Sequence, residues 1–161
     1  MNHIFIAPDK RKAEVDVLAV RRNHSVTAIE CKGYSPRATI SDDLFKRWLQ
    51  HNVPVSFKAM RDHPDYKNLP VTFEFWTTAP ISHESLTLYK KVKSELNENR
   101  YKIELRSPHD VAGLCYSTYE QSLITAFEKH FMMEDGSTLP VAREPKPAPA
   151  DIEDISNDLW D

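Results

Sequence analysis

Two alternating stretches separated by a polar turn constrain this chain more than any other feature. Glu14–Val20 alternates along its length, and Val26–Lys32 follows after Arg21-Arg22-Asn23-His24-Ser25. Side chains with period two read as strands, and a short polar turn between them predicts an antiparallel hairpin centred on Asn23. That register sets Asp16 opposite Glu30 and Glu14 opposite Lys32. Glu30 and Lys32 share a face, with Cys31 on the other. Charges inside otherwise apolar strands are costly unless paired or bound to a cation. Carboxylates facing each other across a hairpin repel.

A divalent cation between Asp16 and Glu30 turns that repulsion into a site. Hard oxygen ligands suit Mg²⁺, with Mn²⁺ as a substitute, and Mg²⁺ binds through one or two carboxylates while keeping several waters. Lys32, two residues beyond Glu30, is placed to orient an attacking water. The metal acidifies water and neutralises charge on a phosphodiester. Carboxylate, carboxylate and lysine on neighbouring strands therefore point to phosphodiester hydrolysis.

The rest of the chain reads as mixed α/β, in the order β-β-β-α-β-α-β-α-α. Ile4–Ala7 is a first short strand. Ser41-Asp42-Asp43 starts a helix whose apolar positions are Leu44, Phe45, Trp48 and Leu49, interrupted before Pro54 and resuming through Phe57 and Met60. Val71–Thr78 is a strand, Ser82 starts a helix to about Leu96, and Tyr101–Leu105 is a strand. Ser107-Pro108 opens a short helix, with His109 and Asp110 capping it, and Thr118–Phe131 forms the last. The three glycines stand far apart, which excludes Gly-rich phosphate cradles. Two cysteines without CxxC spacing make no disulfide framework, and no apolar run has the length of a membrane span. A reducing cytoplasm is the expected compartment.

The order Glu14-Val-Asp16, a gap, then Glu30-Cys-Lys32 resembles the signature of the PD-(D/E)xK nuclease superfamily. Thr77-Thr78-Ala-Pro-Ile-Ser-His-Glu, followed by Ile103-Glu-Leu-Arg-Ser-Pro-His-Asp-Val-Ala-Gly-Leu, resembles the closing section of Mrr-like restriction endonuclease domains. The resemblance covers roughly residues 4–114. It implies a restriction-endonuclease-like three-layer core with a mixed central sheet over residues 1–131. It also implies metal-dependent endonuclease activity on DNA, in bacterial defence or DNA repair. It assigns Asp16 and Glu30 as metal ligands, the backbone carbonyl of Cys31 as a third, and Lys32 as the water-activating residue. Family members commonly carry a helix before the first strand, often with a glutamate that completes the site. This chain opens almost at the strand, and Glu14 is the nearest substitute, as a ligand or as a salt-bridge partner of Lys32. A sheet without that helix is expected to need a partner, a second copy or a larger complex, over its open side. The other reading is a catalytically inactive nuclease-fold module that binds nucleic acid or a protein.

Net charge bears on the partner. The chain sums to −3, but residues 134–161 carry eight acids against two bases, or −6, leaving the body at +3. Lys10-Arg11-Lys12 and Arg21-Arg22 are candidate phosphate contacts, independent of base sequence. Residues 132–161 read as a Pro-rich linker and a disordered acidic tail. Ile152, Ile155, Leu159 and Trp160 would line one side of a short helix there, suited to docking on a protein partner.

Overall fold

The computed structural model describes residues 3–22, 24–35, 37–96, 101–131 and 142–143. The linker and acidic tail expected over residues 132–161 lie outside them apart from residues 142–143. The chain is α/β. Its main sheet has four strands in the order β3 (Val17–Arg21), β4 (Ser25–Lys32), β5 (Val71–Thr77), β7 (Lys102–Arg106). β3 runs antiparallel to β4, and β4, β5 and β7 are mutually parallel, so the sheet is mixed. β1 (His3–Ile6) and β2 (Lys12–Val15) form a separate antiparallel hairpin. β6 (Ile81–Ser82) pairs with β8 (Ala142–Arg143), which lies within the stretch expected to be linker.

The stretch read as one strand, Glu14–Val20, is two. It bends at Asp16, and the halves pair with different partners: β2 with β1, β3 with β4. The hairpin is nevertheless centred on Asn23 as expected, since Val17 faces Ile29 and Arg21 faces Ser25. Leu18 therefore shares a face with Ala28.

One face of the main sheet carries the core. Val26 and Ala28, Val71, Phe73 and Phe75, and Ile103 are all buried there, at alternate positions of parallel neighbours. The opposing layer is helical. α1 (Asp42–Arg47) passes through a π-helical turn (Trp48–Asn52) into α2 (Val53–Asp62) without the interruption expected before Pro54. Proline has no N–H to return to the preceding turn. The chain widens instead, and Val53 N–H bonds to Trp48 O five residues back. The wider turn keeps Phe45, Trp48, Leu49, Val53, Phe57 and Met60 all buried. On the sheet's other face α4 (Pro108–Ser117) and α5 (Gln121–Phe131) build a smaller cluster of Ala112, Cys115 and Phe127. The last helix begins three residues later than expected, after Tyr119 takes a left-handed φ of 56° in the connection. Val17, Ala19 and Cys31 remain exposed on that face.

Three serines start three helices. Ser41 caps α1, Ser82 caps α3 (His83–Glu95) and Ser107 caps α4, where Asp110 completes a capping box. Asp42 links two of these ends by accepting hydrogen bonds from the Ser82 and Ser85 hydroxyls. Those bonds hold its carboxyl below the usual carboxylate range. The stabilisation is thus full above the ordinary aspartate range and disappears as pH falls through the lowered folded value. Asp42→Ala is expected to cost about 1 kcal/mol at neutral pH and progressively less in acid, read as urea midpoints across that range.

Candidate active site

The site lies where β3 and β4 part. Beyond Val17 the chain leaves the ladder, and the Asp16 side chain takes up the exposed backbone: its Oδ2 accepts the Cys31 N–H at 2.7 Å. This fixes the Asp16 carboxylate beside the end of β4. Alternation along β4 puts Glu30 and Lys32 on the core face, opposite Phe75 and Thr77 of β5. Lys32 Nζ lies 2.6 Å from Glu30 Oε1 and 3.5 Å from Asp16 Oδ2. The ammonium is therefore held between two carboxylates. All three side chains are largely shielded, at 12% exposure for Glu30, 19% for Lys32 and 26% for Asp16.

Burial raises the Glu30 carboxyl above its ordinary value; Lys32 pulls the other way, while the Asp16 and Glu14 charges push it further up. Burial pulls the Lys32 ammonium down, but contact with Glu30 and the charge of Asp16 outweigh it, so the lysine holds its proton more firmly than in water. Burial likewise pushes the Cys31 thiol up, away from the nucleophilic thiolate.

The structure brings Asp16, Glu30 and Lys32 together as their spacing predicts. Glu14 reaches the neighbourhood from β2 rather than from opposite Lys32 in a continuous ladder. It lines a small pocket with Glu30, Asn52 and Ser56. Asn52 and Ser56 are not singled out by the sequence, whose spacing interrupts the helix before Pro54 and resumes it through Phe57 and Met60. The π turn places them, and it is the packing of Trp48 and Val53 in the core that favours this turn before Pro54.

The basic residues divide. Arg21 and Arg22 lie at the turn end of the β3–β4 hairpin, on the order of 17 Å along the strand from Asp16. They do not flank the site. Lys10 and Arg11 lie in the β1–β2 turn, where Lys10 takes a left-handed φ of 64°. Arg11 pairs with Asp9 at 2.9 Å, and Lys58 pairs with the same carboxylate at 3.0 Å. Lys12 opens β2, and its carbonyl is hydrogen-bonded to His51 at 3.1 Å, tying the hairpin to the π turn.

Among the described residues no three His, Cys, Asp or Glu side chains are grouped so as to hold a metal ion by themselves. The donor set here is mixed: two carboxylates on either side of one ammonium, with a backbone carbonyl nearby. A residue in a strand points its N–H and C=O to the same flank, so the Cys31 carbonyl faces the flank that Asp16 occupies. Asp16 and the Cys31 carbonyl on that flank, with Glu30 joined to Asp16 through Lys32 on the core face, are hard oxygen donors of the kind that a hydrated divalent cation takes. No helix among the described residues is long and apolar enough to cross a membrane. Compared with protein-family models, with curated proteins and with solved structures, the chain matches none.

Proposed function

We propose that the chain is a metal-dependent endonuclease that hydrolyses DNA phosphodiesters, and that its mixed sheet is the core of a restriction-endonuclease-like domain. One observation carries this reading: Lys32 Nζ held 2.6 Å from Glu30 and 3.5 Å from Asp16, with Asp16 pinned by the Cys31 N–H. Two shielded carboxylates of like charge destabilise a fold unless a cation serves them. One ammonium balances one of them, and a divalent ion suits the pair.

Asp16, Glu30 and the Cys31 carbonyl are the residues that would hold Mg²⁺ or Mn²⁺. The bound ion supplies charge neutralisation on the phosphate and acidifies water. The protein does the remainder. The Cys31 N–H fixes one carboxylate, and strand alternation fixes the other. Lys32 keeps its proton, so it acts as a positioned donor that orients the attacking water and stabilises charge as it develops. Lys12, on the strand that leads into Asp16, supplies a phosphate contact without base preference, whereas Lys10 in the far turn is as distant from Asp16 as Arg21 is. Bacterial defence or DNA repair in the cytoplasm is the natural setting of such an activity.

Supercoiled plasmid and single-stranded DNA incubated with the protein are expected to be nicked or cut with Mg²⁺ or Mn²⁺ and to stay intact with EDTA. DNA retention without cleavage under both metals would move the reading to a binding module with a nuclease-like fold.

A further inference from the structure

One buried group beside the site is not used in that chemistry. Ser56, in the second turn of α2, is 0% exposed, and its Oγ has no hydrogen-bond partner among the described residues. A buried hydroxyl without a partner is destabilising, and serine is a poorer helix former than alanine. A partner within the pocket removes the first penalty and offsets the second.

The pocket supplies the means. Ser56 lines it together with Glu14, Glu30 and Asn52, and Trp48 and Phe73 add apolar wall. Its space is that of about one water molecule. A buried water needs two to four polar partners, and this lining offers carboxylates that accept, an amide that does both, and a hydroxyl that donates. A hydroxyl and a carboxylate facing the same water-sized space are bridged most simply by that water, which accepts from one and donates to the other.

We infer that the pocket binds a single ordered water that links Ser56 to the Glu30 carboxylate, which makes Ser56 a positioning residue for Glu30. Lys32 holds Glu30 along the strand, and the water holds it from the helix across the core. The orientation of the carboxylate is then set from two elements, as outer partners of ligating side chains commonly do. The water rests on the pocket alone; its bearing on cation binding rests on the nuclease reading above.

The test is a double-mutant cycle in metal-free buffer, with thermal unfolding of the parent, Ser56→Ala, Glu30→Leu and the pair. Ser56→Ala is expected to lower Tm by about 3 °C, and the loss should vanish in the Glu30→Leu background. A higher Tm for Ser56→Ala, as expected on removing an unsatisfied hydroxyl, overturns the inference, and so does an equal shift in both backgrounds. The sign of the single-variant shift decides the matter even if Glu30→Leu does not fold. Calorimetric titration with Mn²⁺ gives the second readout: Ser56→Ala should bind it about 10-fold more weakly. A parent protein that binds no Mn²⁺ refutes the metal reading while the cycle still decides the water. Unchanged Mn²⁺ affinity in Ser56→Ala refutes the positioning role.

Discussion

Lys32→Ala is expected to lower metal-dependent DNA cleavage by at least about 100-fold, the usual scale for removing a positioned proton donor or acceptor. Binding of Mn²⁺ should survive, because the two carboxylates and the Cys31 carbonyl remain. Loss of the ammonium removes a like charge from the neighbourhood of the cation. Metal-free Lys32→Ala should also show a distinct pH response. Glu30 already sits above its ordinary value through burial, and without Lys32 nothing on its own strand face offsets that. A group whose folded value is raised binds its proton more tightly when folded, so the variant gains stability as pH falls through that raised value. Cleavage by Lys32→Ala at the parent rate would show that the lysine is only a structural counter-ion. Lys32→Arg tests geometry, since a planar guanidinium keeps the charge but not the compact donor. Parallel cleavage assays, Mn²⁺ titrations and denaturant curves separate these effects.

Phe75→Ala should give the largest loss of stability, about 3–5 kcal/mol. Phe75 is 0% exposed. Its ring centroid is 5.1 Å from those of Phe45 and Trp48, both in edge-on contact. Deleting it removes a side chain that joins the sheet to both α1 and the π turn. The register also places Phe75 directly beside Glu30, so the cavity would open under the candidate site. Urea unfolding is the measurement, with Ile6→Ala as control: Ile6 is 58% exposed and should change little. A cost under about 1 kcal/mol for Phe75→Ala would contradict this packing.

Most of the fold was legible because its signals are local. Ser41, Ser82 and Ser107 begin helices in the sequence and in the structure, and the hairpin centre at Asn23 sets the β3–β4 register. The same register brought Asp16, Glu30 and Lys32 together. The bend at Asp16 was not legible. Alternation runs unbroken from Glu14 to Val20, and nothing in period two says that a carboxylate will replace a backbone acceptor for Cys31 and end the ladder. The π turn was hidden for a related reason. Pro54 usually marks a break, and only the long-range packing of Trp48 and Val53 against the sheet favours widening over breaking. Asn52 and Ser56 came into view only with that turn. Sequence proximity likewise put Arg21 and Arg22 near the site, whereas an extended strand carries them away from it.

The strand order has a further consequence, for the route by which the chain folds. Asp16, Glu30 and Lys32 all lie between residues 16 and 32, within one hairpin, whereas β5 joins β4 only after the segment that holds α1 and α2. Hairpins close in microseconds, and parallel pairings across long loops come later. The charged groups therefore meet first in water, where their proximity costs little. Their desolvation arrives when Phe75 docks, so the electrostatic penalty of the site falls on the late, non-local step rather than on nucleation.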